Sequence, residues 1–131
     1  MLNLSDARKI IAAATKKAEE LGQPMCLAVV DEGGNLLAFE RMENAWRGSI
    51  DISINKAFTS RAFDITTKDL GDNSGPGQQF FGIHVSNHGR IMIFAGGIPL
   101  RQNGAVVGAV GVSGGSGEQD HAIAVAASQG Y

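Results

Sequence analysis

Apolar residues recur three and four positions apart near the start of the chain: Ala7, Ile10, Ile11, Ala14, Ala18 and Leu21. That spacing puts them on one stripe of a helix. Lys9, Lys16, Lys17, Glu19 and Glu20 fall largely on the other face. Ser5 is the expected N-cap, with Asp6 favourable in the first turn. Gly22 supplies a stop and Pro24 prevents resumption. The period then shortens. Residues 25–30 form an apolar run, Gly33-Gly34-Asn35 a turn, and residues 36–41 a return strand, which together predict an antiparallel hairpin. Helical spacing returns at Ile50, Ile54, Ala57, Phe58 and Ala62, from Trp46 or Gly48 onward.

The second half alternates loops with short apolar runs. Residues 66–70 predict a capped single turn, followed by the loop-forming stretch 71–77. Phe80 and Phe81 come next and are expected to pack against the body of the fold. A connection this long and turn-rich is uncommon unless it serves a site or an interface. Asn87-His88-Gly89 predicts a turn and residues 90–95 a strand. Two further strands are joined at Asn103-Gly104, a pair that tolerates the positive φ of a tight hairpin. Ser116 with Gln119 three residues on is a capping-box pattern opening the last helix. Ala122, Val125 and Ala126 form the buried stripe of that helix. The order predicts one α+β domain with an antiparallel sheet of about five strands flanked by helices.

Composition narrows the classes. The chain has 131 residues, enough for a real core, and a formal net charge of -2. There is no basic run, which argues against nucleic acid or an anionic membrane as partner. No apolar run reaches the ~18 residues of a membrane span, and the first residues lack a basic and apolar leader pattern. Cytoplasm is the expected location. A single cysteine, Cys26, lies in an apolar strand pattern and is read as an inert core residue. The 18 glycines are roughly twice the usual share of about 7% and gather at turns and strand edges. Gly96, Gly108 and Gly111 lie in or beside strands, where glycine is favoured if another backbone or a ligand approaches closely.

The candidate chemistry concentrates after the last strand. Ser113, Gly114, Gly115 and Ser116 turn the chain from a strand into a helix whose first turn carries Glu118 and Asp120. Such a helix start can hold a small anion. The alternative is that the glycines only permit a tight turn. Lys56 falls among apolar positions of the second helix, with Arg61 near the same side and Arg47 just ahead of it. Lys56 is either an anion ligand or a snorkelling surface residue, and composition favours snorkelling. His84 and His88 lie four apart, but across an expected strand end and turn rather than on a helix, so no joint metal site is expected. His121 sits one turn into the last helix. There is no Gly-x-Ser-x-Gly elbow, Walker loop or His-Glu-x-x-His. From its residues alone the chain reads as an α+β domain with one anion-pocket candidate.

Lys56-Ala57, the run Gly96-Gly97-Ile98-Pro99-Leu100, Gly104, residues 107–114, and Glu118 with Asp120 together resemble the GlcG/HbpS family of haem-binding or haem-degrading proteins. They are also similar to the C-terminal domain of PduO-type cobalamin adenosyltransferases. The resemblance runs from Ser5 to Ala127. It implies a profilin-like fold with a five-stranded antiparallel sheet, and homo-oligomers assembled as dimers, tetramers or octamers. It also implies a role in glycolate, glycerol or propanediol metabolism, some of it cobalamin-dependent, with haem as cofactor in some members. PduO-type domains carry a histidine just after the first hairpin's Gly-Gly, where this chain has Asn35. His84, His88 and His121 remain as haem-ligand candidates. Three functions are compatible: a haem- or tetrapyrrole-binding accessory protein, an enzyme acting on a small carboxylate or aldehyde, and a structural partner of a cobalamin-dependent enzyme. For the enzyme, Lys56 with Arg47 or Arg61 would be the cationic partners and Glu118 or Asp120 the acid/base.

Overall fold

The computed structural model describes residues 1–131. Helix α1 (Leu4–Leu21) leads into β1 (Cys26–Asp31) and β2 (Leu36–Arg41). Helices α2 (Gly48–Phe63) and α3 (Thr67–Asp72) follow. An excursion with one 3-10 turn (Ile83–Val85) and the short segment α4 (Ser86–Gly89) leads to β3 (Gly97–Gln102), β4 (Ala105–Ser113) and α5 (Gly117–Ser128). The sheet is antiparallel throughout, in the order β2-β1-β4-β3.

The sheet therefore has four strands, not the five expected. The missing one is 90–95, which has no regular structure. Thr59 of α2 claims part of its backbone: its hydroxyl accepts from the Met92 N–H at 3.0 Å, while its single proton goes to the Asn55 carbonyl at 2.7 Å, with the Arg90 carbonyl farther off at 3.3 Å. A backbone satisfied by side chains has less to gain from strand pairing. Ile91 is still buried, so the apolar pattern reported burial correctly and the partner wrongly. At the other end, the cap of α1 is Asn3 rather than Ser5. Asn3 Oδ1 accepts from the Asp6 N–H at 2.8 Å and Asp6 Oδ2 from the Asn3 N–H at 3.1 Å. Leu2 ahead of the cap is buried in the same core cluster as Ala7, a hydrophobic staple that fixes the entry of the chain. The predicted caps at Thr66 and Ser116 and the Asn103-Gly104 turn are as expected.

Period-two alternation on β1 splits the core between the two sheet faces. Leu27 and Val29 pack with Ile10, Ile11, Ala14, Val110, Val112 and Ile123, the layer formed with α1 and α5. Ala28 and Val30 pack with Ala57 and Ala109, the layer formed with α2. The second layer is made of small side chains, so α2 lies almost backbone to backbone on β4. A Cβ at Gly111 would run into the Ser53 carbonyl and stand 2.6 Å from the Ala57 nitrogen. Glycine in mid-strand is required there by close approach.

Candidate functional site

The close seating of α2 carries Lys56 into the interior. Its side chain is fully buried, which corrects the snorkelling expectation. Nζ donates to the Val112 carbonyl at 2.8 Å and to Asp120 Oδ2 at 3.0 Å. The Phe94 ring covers the same ammonium, with its centroid 4.8 Å away. Gly96, at φ 129, leaves the room this needs, since a Cβ there would stand 2.8 Å from Nζ. Asp120 is 3% exposed and accepts with Oδ1 from the Gly115 N–H at 2.9 Å. Burial pulls the Lys56 pKa down, opposed by the charge and hydrogen bond of Asp120. Burial pushes the Asp120 carboxyl up, opposed by Lys56 and by the backbone of Gly115 and Gly114. The pair ties α2, the end of β4 and the start of α5 together. Two of the residues singled out from sequence thus meet, 64 positions apart.

The glycine loop is engaged by its own chain. The Gly115 N–H is held by Asp120, the Ser116 N–H by Gln119 Oε1 at 2.9 Å, and the Gln119 N–H by Ser116 Oγ at 3.2 Å. The Gly114 carbonyl accepts from Gln23 Nε2 at 3.0 Å, and Gly114 itself has φ 147. Ser113 is buried with its hydroxyl 3.2 Å from that of Ser49. The strongest anion near this loop is therefore the protein's own Asp120 carboxylate.

The remaining cationic candidates stand apart from this pair. Arg47 is exposed at the cap of α2 and makes no side-chain bond. Arg61 donates through Nε to the Glu32 carbonyl at 2.6 Å and pairs with Asp64 at 2.6 Å. Glu118 and His121 line a hollow of about 370 Å³ with Lys68, Ala95, Gly117 and Ala122. His121 Nδ1 is buried with no hydrogen-bond partner. Cys26 is buried, with its thiol pKa raised by burial against the opposing pull of Arg41.

His84 and His88 fall on neither a strand end nor a regular helix. His84 is in the 3-10 turn, and His88 lies in left-handed backbone at φ 59, ψ 34, next to Asn87 at φ 53, ψ 43. Both are exposed. Phe80 and Phe81 on the same excursion do not pack inward as expected: they are 40% and 63% exposed, and Val85 is 72% exposed. Sequence reasoning missed Phe94 as the cover of Lys56. Its only signal is its place two residues before Gly96.

Comparison with known proteins gives a consistent picture. The family described as haem degrading protein HbpS-like matches residues 2–129. A 15.0 kDa protein from the dhaT-dhaS intergenic region of Citrobacter freundii is 44% identical over 94% of this chain and 87% of its own length. The corrinoid adenosyltransferase PduO of Salmonella typhimurium is 33% identical over 94% of this chain, which spans 37% of PduO. The crystal structure of a PduOC–haem complex matches with a TM-score of 0.95 and 32% identity, over 99% of this chain and 94% of that one. No helix is long and apolar enough to cross a membrane.

Proposed function

The chain belongs to the HbpS-like family, and we propose that it is a binding protein for haem or a related tetrapyrrole, serving as an accessory in glycolate, glycerol or propanediol metabolism. The observation that carries this reading is the likeness to a solved relative in complex with haem, at a TM-score of 0.95. Fold likeness alone does not transfer a ligand, so the reading also needs donors on this chain. It has three imidazoles, and two of them are exposed on the same excursion of the chain as exposed Phe80, Phe81 and Val85. An imidazole would supply the axial bond to iron, and apolar side chains would cover the ring faces. When bound, haem would supply redox or ligand-binding chemistry of its own, and the protein would hold and shield it.

The test is a haemin titration of the purified chain followed by visible spectroscopy. A saturable, sharpened Soret band is expected. A response indistinguishable from free haemin would remove haem from the account. Assembly into dimers, tetramers or octamers is part of the same proposal, and a monomer by light scattering at micromolar concentration would contradict it. A second reading, docking on a cobalamin-dependent enzyme, is favoured by the covalent joining of a similar domain to a corrinoid adenosyltransferase in PduO. Co-elution with such an enzyme, independent of haem, would support it.

A further inference from the structure

We infer that the hollow between α3, the Ala95 segment and the first turns of α5 is a second binding site, for a small amino acid with an apolar side chain, held as a zwitterion. The inference stands whether or not the chain takes a tetrapyrrole. The hollow has a volume of about 370 Å³. That is near the lower end of the roughly 300–1,000 Å³ of pockets that enclose a small organic molecule. Three segments build its wall: Lys68 comes from α3, Ala95 from the stretch ahead of β3, and Gly117, Glu118, His121 and Ala122 from α5. The excursion after α3 returns the chain to this place. A Cβ on Gly117 would stand 3.7 Å from that of Ala95, so the two segments meet there.

The polar groups on this wall have bonding capacity to spare. His121 Nδ1 is sealed with no partner. An N–H sealed in this way would lose its hydrogen bond to water, so the neutral ring carries its proton on Nε2 instead. Nε2 is not sealed, and it is the polar atom that His121 can offer a ligand. Lys68 has only Asp72, at 3.6 Å, with the two side chains 52% and 66% exposed. Such a pair is worth little and yields to a better-placed anion. Glu118 pairs with no cation of the chain. The rest of the wall is the methyl groups of Ala95 and Ala122 and the Gly117 backbone. One cation, one anion and one neutral donor on an apolar wall complement a ligand with the opposite features. A carboxylate takes Lys68 and the His121 N–H, an ammonium takes Glu118, and a short apolar side chain covers the two alanines. A simple carboxylate would leave Glu118 facing an anion, and a simple amine would leave Lys68 facing a cation.

The experiment is calorimetric titration of the full chain, without haemin, with L-valine, 2-hydroxyisovalerate, isovalerate and isobutylamine. Saturable binding of L-valine is expected, tighter than each of the other three by about tenfold, the worth of one hydrogen bond between charged groups. Ala122→Leu fills the hollow and is expected to abolish L-valine binding. Glu118→Gln is expected to remove the preference for L-valine over 2-hydroxyisovalerate and isovalerate. Lys68→Gln and His121→Phe are expected to weaken L-valine and isovalerate alike. Thermal melting of each variant reports folding. Lys68 and Glu118 are exposed, so their glutamine variants are expected to melt as wild type and decide the matter even if Ala122→Leu does not fold. No binding of any of the four compounds, or L-valine binding unchanged in a folded Ala122→Leu, overturns the site. Isovalerate or 2-hydroxyisovalerate as tight as L-valine, or a preference that survives Glu118→Gln, overturns the zwitterion. Unchanged affinity in Lys68→Gln or His121→Phe overturns the role given to that residue.

Discussion

Removing one member of the Lys56–Asp120 pair tests the interior. Lys56→Met deletes the ammonium and leaves a carboxylate 3% exposed, still facing the Gly115 N–H. Breaking a buried pair in this way costs about 3–5 kcal/mol, because the surviving charge is desolvated without compensation. Against a total stability of about 5–15 kcal/mol, that is a large share. Replacing both members by apolar residues, Lys56→Met with Asp120→Leu, is expected to recover most of the loss, since attraction and desolvation largely cancel in a buried pair. The pH dependence of the single variant carries a sign. Burial raises the Asp120 carboxyl, and Lys56 is the leading influence holding it down. Without Lys56 its folded pKa rises further above the unfolded value. A raised pKa gives stability that is present below the unfolded pKa and lost as pH rises through the folded one. Lys56→Met is therefore expected to close its gap to wild type on acidification toward the ordinary carboxylate range. Urea unfolding of the two singles and the double between pH 4 and 8 measures all of this. Single losses below about 1 kcal/mol, the range of exposed ion pairs, would refute the claim that the pair is desolvated. So would a gap that widens on acidification.

Two further perturbations probe the frame. Gly111→Ala inserts a methyl group against the Ser53 carbonyl and the Ala57 nitrogen, so α2 must lift from β4. A loss of about 1–3 kcal/mol in urea unfolding is expected, and a neutral result would refute the close seating of α2. Asn3→Ala removes the capping box of α1 and is expected to cost about 1 kcal/mol, or roughly 3–5 °C in Tm, whereas Ser5→Ala should be close to neutral.

What was legible in the sequence is what short-range patterns determine. The stripe Ala7, Ile10, Ile11, Ala14, Ala18 gave α1, Asn103-Gly104 gave the second hairpin, and Ser116 with Gln119 gave the start of α5. Each signal lies within a few residues, so no distant partner could alter it. The fifth strand failed for the opposite reason. Residues 90–95 have strand-like composition, but the Thr59 hydroxyl, 33 positions from Met92, takes the Met92 N–H that a strand would offer to a neighbour. Lys56 was misread in the same way: snorkelling is the default for a lysine on an apolar face, and Asp120 lies too far along the chain to announce itself. The cap of α1 was ambiguous locally, with Asn3 and Ser5 both suitable, and the burial of Leu2 decided it. Phe80 and Phe81 show the limit of hydrophobicity as a guide, because in sequence an exposed apolar residue looks the same as a core one.

The structure thus separates two sets of polar groups with no shared partner. Lys56, Asp120 and the Gly115 N–H are consumed in joining α2, β4 and α5, whereas His88 and Arg90 stand on the exterior with their bonding capacity largely unspent. A separation of this kind predicts additivity, since sites without common contacts do not couple by more than about 0.5 kcal/mol. Lys56→Met combined with His88→Gly should show the stability loss of the first and the haemin affinity of the second alone, each unchanged by the other. Lys56→Met alone, below its denaturation midpoint, should bind haemin with wild-type affinity. Phe94 is one element that could join the two sets, because it covers Lys56 Nζ from the segment that continues directly from Arg90; Phe58 and Thr59 of α2 also touch that segment. If loss of the buried pair weakens haemin binding in the folded protein through Phe94, then Phe94→Leu should reproduce the weakening with Lys56 intact. If neither variant moves the affinity, the interior pair serves the fold alone.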